Sequence, residues 1–207
     1  TAIAAFHHRI PVGHVEAGLR SFDQAMPEEV NRVLVDHMSD YLFAPTQTAK
    51  KNLLREGIPS KNIFITGNTV VDAIGNHQNI VEQNQKVFKE HGVTPKSYAL
   101  VTVHRPSNVD DKKAFRNILT ALANIHTKTK MPILYPIHPR SQKMMENFKI
   151  SAPAGVRLTS PLSFFDFLTL EKHAKIILTD SGGIQEEACV FGVPCVTLRN
   201  NTERPES

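Results

Sequence analysis

The stretch Thr179 to Ala188 reads TDSGGIQEEA and holds the densest chemistry in the chain. It follows an apolar, strand-like segment ending at Leu178 and opens a helix-like one. Two glycines at such a turn, Gly182 and Gly183, let backbone N–H groups approach a ligand closely, and a helix N-terminus favours anions. Ser181 adds a hydroxyl donor. Glu187 lies four residues after Gly183, one turn deeper on the same helix face. The arrangement suits a diphosphate cradle with a carboxylate placed for sugar hydroxyls. A plain Ser-Gly-Gly helix start is the competing reading.

Other chemistry-bearing residues recur just after strand-like runs, where open parallel sheets place their ligands. Glu16 and Arg20 follow residues 10–15, and Gly67, Asn68 and Thr69 follow 63–66. His104 and Arg105 follow 98–103, and His138 and Arg140 follow 133–137. Arg199, Glu203 and Arg204 follow 195–198. Convergence on one edge of both sheets is harder to obtain by chance than any single motif. His104 beside Arg105 offers two groups to a phosphate, and His138-Pro139-Arg140 echoes the pair. Glu28 and Arg32 stand four apart on a helix opened by Pro27. With a core face of Val30, Val33, Leu34 and Met38, they lie off the core. They form either a surface ion pair of little weight or a cleft carboxylate held by a guanidinium. Glu29 reads as a partner of the helix dipole. Phe164, Phe165 and Phe167 read as core aromatics, with base stacking by one of them as the alternative. His7 and His8 read as surface residues, and no histidine has cysteine or carboxylate neighbours at metal-ligand spacing.

Positioning these groups takes alternating elements. Short β-branched runs occupy residues 10–15, 41–44, 63–66, 98–103, 133–137, 156–159, 175–178 and 195–198. Helical periodicity fills 28–39, 46–56, 70–91, 112–128, 140–148, 163–173 and 184–191, and residues 1–6 read as helix interior. Strand alternating with helix predicts βαβ units, parallel sheets and right-handed crossovers with helices on both faces. The 70–91 helix turns polar from Glu82 onward and meets Gly92 and Pro95, so it reads as a connector. The expectation is two doubly wound, Rossmann-like halves, residues 1–85 and 86–207.

Composition sets the outer limits. At 207 residues, with 41% apolar and 21% charged residues, the chain buries a real core and is not disordered. The net charge of +4 is spread without a Lys/Arg block, so nucleic-acid binding has no support. No apolar run reaches the roughly 18 residues of a membrane helix. Cys189 and Cys195 read as buried free thiols of a reducing cytosol, and the chain is expected to be cytoplasmic. Both ends read as cut from a longer protein.

Taken together, the motifs resemble the non-hydrolysing UDP-N-acetylglucosamine 2-epimerases, whose two Rossmann-like domains have the glycosyltransferase-B arrangement. The matching runs are HVEAGLR (14–20), PEEVNR (27–32), FAPT (43–46), FITGNTVVDA (64–73), HR (104–105), TDSGGIQEEA (179–188) and TERPE (202–206), in family order across the chain. The resemblance implies that Glu16 and Glu28 are cleft acid/base groups and Arg32 a neighbouring cleft arginine. It implies that His104, with Arg105, lies near the diphosphate and that Ser181, Gly182 and Gly183 form the phosphate turn. Glu187 would bind ribose, Arg204 a phosphate, and Phe167 would lie beside the uracil. Many relatives carry a glutamate after the His-Arg pair, whereas this chain reads HRPSN, which leaves room for a related UDP-sugar such as a diacetamido uronate. The resemblance also implies a preceding glycine-rich loop, an aspartate before Thr1 and further C-terminal helices. Without those parts, the alternative reading is a truncated, non-catalytic UDP-binding fragment.

The implied chemistry is inversion at C2 of a sugar nucleotide. C2 has no adjacent carbonyl to acidify its proton, so expulsion of UDP from C1 must accompany its loss. The product of that step is a 2-acetamidoglucal, and re-addition of UDP with protonation from the other face inverts C2. Carboxylates serve the proton transfers and fixed positive potential serves the departing diphosphate. No metal or other cofactor is implied. The expected partners are the UDP-sugar and, for the full-length protein, a second copy in a homodimer.

Overall fold

The computed structural model describes residues 1–207. The chain divides into two compact units, Thr1–Asp72 with Asn201–Glu206, and Ala73–Asn200 with Ser207. This division falls earlier than the sequence boundary of 85/86 and assigns residues 201–206 to the first unit.

The first unit contains α1 (Ala2–His7), β1 (Gly13–Val15), α2 (Pro27–Met38), β2 (Tyr41–Ala44), α3 (Gln47–Arg55), β3 (Ile63–Ile65) and the start of α4 (Thr69–Gln83). Its three strands are parallel in the order β1-β2-β3, with Gly13 opposite Tyr41 and Leu42 opposite Ile63. Thr46 caps α3 by accepting the Ala49 N–H, one of the donors a helix start leaves unpaired. Leu42, Ala44 and Ile63 of the sheet pack with Ala49 and Leu53 of α3 and with Ala17.

Helix α2 departs from its apolar pattern. Val30 and Leu34 are about half exposed, and the buried residues of the helix are Glu29 and Asp36. Glu29, Arg32 and Asp36 recur at helical spacing, so the inward stripe is the polar one. Asp36 explains why: it accepts from His14 Nδ1 at 2.6 Å and Gly18 N at 3.1 Å, and pairs with the buried Arg20 at 2.7 Å. Arg20 also pairs with Glu56 at 2.7 Å. Arg20 is therefore an interior tie and not a sheet-edge ligand group.

Gly18 sits at φ +81 with its N–H on Asp36 and its carbonyl accepting from Asn52 Nδ2 at 3.0 Å. A Cβ there would run into the Ala49 carbonyl oxygen and lie 2.8 Å from Leu53 Cγ. Gly18→Ala is expected to cost about 2–5 kcal/mol, the left-handed backbone and the overpacking together. Urea unfolding measures it; a loss below about 1 kcal/mol would contradict this account.

The second unit contains the rest of α4, α5 (Lys86–Glu90), β4 (Ala99–Thr102), α6 (Pro106–Val109), α7 (Lys112–Thr129), β5 (Ile133–Pro136), α8 (Pro139–Phe148), β6 (Val156–Thr159), α9 (Phe164–Lys172), β7 (Ile176–Thr179), α10 (Gly182–Phe191) and β8 (Cys195–Thr197). Its five strands are all parallel in the order β6-β5-β4-β7-β8. Alternation along β4 feeds two cores. Ala99, Val101 and Val103 pack with Phe115, Leu119 and Leu122 of α7 on one face. Tyr98 and Leu100 pack with Val87, Phe88, Leu170 and Ala188 on the other. This is the doubly wound pattern the alternating sequence announced.

The continuous 70–91 helix of the sequence reading is two helices. Asn84 leaves the helical line to donate to Asp166 Oδ1 at 2.7 Å, and the Gln85 N–H bonds Gln83 O at 2.8 Å. The break re-aims Val87 and Phe88 into the core. The cysteines are free thiols, but Cys189 is exposed and Cys195 only partly buried, because α10 turns Ala188 and not Cys189 inward. No helix is long and apolar enough to cross a membrane.

Candidate functional site

The strand order of the second unit reverses between β4 and β7. From β4 the chain winds outward through β5 to β6, then returns to the other side of β4 to lay down β7 and β8. Such a switch point opens a crevice beyond the carboxyl ends of the two strands. His104-Arg105 follows β4 and Asp180-Ser181-Gly182-Gly183 follows β7. The two ends are held in register, Thr102 opposite Thr179, with their hydroxyls 2.6 Å apart.

Asp180 organises the crevice and is fully buried. Its carboxylate accepts from His104 N at 3.0 Å, Arg105 N at 2.9 Å and Asn108 Nδ2 at 2.9 Å, and lies 3.3 Å from His104 Nδ1. Arg105 Nε donates to the Asp180 carbonyl at 2.9 Å. In the sequence Asp180 reads as one ionisable group of the glycine turn, with no separate role. The signal was a carboxylate at the end of a central strand, where solvation is lost.

Ser181 occupies the N-cap of α10, yet its hydroxyl makes no cap bond. The plain capping reading therefore fails, and the hydroxyl is not spent on the helix. The ring of His138 lies 5.2 Å from that of His104. Arg140, read as an echo of Arg105, is committed to an exposed pair with Asp110. Phe167 is partly buried against the second core, and Glu187 projects from α10. Burial raises the Glu187 carboxyl above the ordinary range.

The first unit holds a separate constellation. Glu16 follows β1 at φ +65, a left-handed conformation that a side chain adopts at a cost. Its carboxylate accepts from Arg204 Nη2 at 3.2 Å, and Arg204 Nη1 also donates to Glu203 at 2.8 Å. On α2, Arg32 pairs with Glu29 at 2.8 Å, three residues away. Glu29 also accepts from Ser21 N at 2.9 Å and Phe22 N at 3.0 Å. Burial would raise its pKa, but those N–H groups and Arg32 outweigh burial and hold the carboxyl below the usual range. Glu29 is thus a buried tie of the 21–22 loop and not merely a dipole partner. Glu28, beside it, is exposed. No cluster of three or more His, Cys, Asp or Glu residues is arranged to hold a metal ion.

The profile of the UDP-N-acetylglucosamine 2-epimerase family matches residues 1–207, the whole chain. The chain belongs to this family. The UDP-N-acetylglucosamine 2-epimerase of Methanocaldococcus jannaschii is 50% identical over 212 residues, covering 100% of this chain and 58% of the relative. That of Escherichia coli K12 is 42% identical over 218 residues, covering 100% of this chain and 57% of the relative. A crystal structure of the M. jannaschii epimerase in complex with UDP-GlcNAc and UDP superposes with a TM-score of 0.93 at 49% identity, covering 99% of this chain and 58% of that one. The chain thus spans less than two thirds of the relatives it matches. The wall teichoic acid polymerase TagF, 14% identical with a TM-score of 0.53, shares the fold alone.

Within this epimerase-family chain, the predicted residues fall into two sets. His104, Arg105, Ser181, Gly182 and Gly183 meet at the switch point of the second unit, with Phe167 and Glu187 in the same unit. Glu16 and Arg204 are paired in the first unit, which also carries Glu28 and Arg32 on α2.

Proposed function

We propose that the protein containing this chain interconverts UDP-GlcNAc and UDP-ManNAc as a non-hydrolysing 2-epimerase. The observation that carries this reading is the anion-ready turn at the β4/β7 switch point, in a chain half identical to an archaeal UDP-N-acetylglucosamine 2-epimerase. Ser181, Gly182 and Gly183 present a hydroxyl and helix N–H groups to the diphosphate. His104, Arg105 and Arg204 add positive potential as UDP leaves C1. Glu16 and Glu28 serve as acid/base groups at C2, with Arg32 beside them. Glu187 takes the ribose hydroxyls and Phe167 the uracil. The steps are elimination of UDP to the 2-acetamidoglucal, then re-addition with protonation on the opposite face, and the chemistry calls for no cofactor. The full-length protein acts as a homodimer in this reading.

Proton NMR of UDP-GlcNAc in D2O with the intact protein tests the reaction. Deuterium at C2 together with UDP-ManNAc is the expected result. No exchange, with UDP still bound, overturns it and sends the search to related UDP-sugars. The nucleotide site has its own test: Ser181→Ala combined with Glu187→Ala is expected to weaken UDP about 10–100-fold, the worth of one or two hydrogen bonds to charged groups. Unchanged affinity in calorimetry would place UDP elsewhere.

A further inference from the structure

Glu171 on α9 is fully buried. Neither of its carboxylate oxygens meets an N–H or O–H donor elsewhere in the protein. The group it faces is another carboxyl, that of Glu187 on α10. A hydrogen bond between two carboxyls requires one of them to carry a proton, and a buried carboxylate without a donor is strongly disfavoured.

The groups that bear on Glu171 directly are a carboxyl and a thiol. From α10 the facing group is Glu187, on which the charge of Glu186 also falls, and from β8 it is the Cys195 thiol. On α9 itself, Lys172 is paired with Glu82 at 3.0 Å, and Asp166 is held by Ser163 and Asn84. His173 directs Nδ1 to Thr169 O. From α5, the field of Lys86 and of the following His91 falls on Asp166. Burial first, and the charge of Glu187 second, push the Glu171 carboxyl well above the ordinary range.

We propose that Glu171 and Glu187 share one proton at neutral pH, and that Glu171 is a positioning residue. It donates to one Glu187 oxygen, leaving the other aimed at the ribose hydroxyls of a bound uridine nucleotide. The ribose assignment rests on the proposed function; the shared proton does not. Alkaline solution removes that proton, leaves two like charges in one buried site and displaces Glu187.

Calorimetric titrations of UDP and of 2′,3′-dideoxy-UDP, from about pH 7 to about pH 8.5, below the ionisation of the uracil N3–H, read the consequence. UDP affinity is expected to fall about fivefold or more, one hydrogen bond's worth, and dideoxy-UDP affinity to stay level. Glu171→Gln keeps a donor that cannot ionise and should abolish the alkaline fall. Glu171→Leu should weaken UDP, but not dideoxy-UDP, already at neutral pH. An unaltered alkaline fall in Glu171→Gln, or parallel loss of both ligands, would overturn the positioning role. Infrared difference spectra of unliganded wild type against Glu171→Gln test the proton alone. A protonated-carboxyl carbonyl band present only in wild type is expected, and its absence rejects sharing. Should that band appear while UDP fails to bind at any pH, the nucleotide reading fails and the carboxyl pair stands.

Stability follows with a definite sign. The pair's carboxyl pKa is raised on folding, so its contribution is fully present below the unfolded value of about 4.3. It is lost as pH rises toward the folded value. Glu171→Gln should therefore flatten the decline of melting temperature between about pH 5 and pH 8.

Discussion

Under the proposed function, Glu16→Gln in the intact protein is expected to lower 2-epimerase turnover by about 10²–10⁴-fold, the usual worth of a positioned acid/base group, with UDP still bound. The ground for singling out Glu16 is its backbone. It stands at φ +65 immediately after β1, a conformation that costs a side-chain-bearing residue about 1–2 kcal/mol. Strain of this kind persists only where the surroundings over-determine it, and it gathers at functional sites. Here the flanks do so: Ala17 N bonds Phe43 O at 3.2 Å, Ala17 and Gly18 are buried, and Gly18 N is tied to Asp36. The bend aims the carboxylate at Arg204. Glutamine keeps the bend and an acceptor for Arg204 but cannot exchange a proton. Glu16→Gly separates fold from function: it relieves the bend, so melting temperature should hold or rise while turnover is lost to the same degree. Wild-type turnover in Glu16→Gln would remove the residue from the chemistry. A large loss of stability in Glu16→Gly would show that the bend is stabilising and not strained.

The sheets were legible because β-branched runs alternate with helical periodicity, and a strand forms at each of the eight expected positions. The glycine turn was legible because Ser181-Gly182-Gly183 stands between a strand and a helix. Pattern reading failed where burial is polar. On α2 it followed Val30 and Leu34 outward, when Glu29 and Asp36 are the buried residues. Spacing pairs Arg32 with Glu28, whereas its guanidinium is bound to Glu29. Periodicity ranks faces by apolarity and is blind to a carboxylate whose burial is offset by N–H donors supplied from a loop. Asp36 and Glu171 carry no signal in the sequence, and Asp180 reads only as one of the sheet-edge groups, for the same reason: their partners lie far off in sequence. Asn84 carries no signal either, since its tie to Asp166 spans most of the second unit's sequence. What sequence alone could weigh was the order and content of HVEAGLR, PEEVNR and DSGGIQEEA, which carried the family.

Asp180→Ala is expected to cost about 3–5 kcal/mol of stability, because it strips several donors at once. His104 N, Arg105 N and Asn108 Nδ2 all end on this buried carboxylate. Asn108 would keep Leu198 O, at 2.8 Å, while the two backbone N–H groups would lose the Asp180 carboxylate. Equilibrium unfolding in urea measures the loss, and a variant as stable as wild type would mean that water replaces the carboxylate and that the strand end is not dry. Asp180→Asn isolates the functional part. It retains one oxygen but turns an NH2 toward the N–H cluster, costing about 1–3 kcal/mol. It also removes the negative charge beside His104 Nδ1. If Asp180 acts by holding His104 toward the departing diphosphate, Asp180→Asn should reduce turnover strongly in wild type and little in a His104→Ala background. Such non-additivity is what coupled neighbours show. Equal losses in both backgrounds would make Asp180 a structural tie whose effect on turnover bypasses His104.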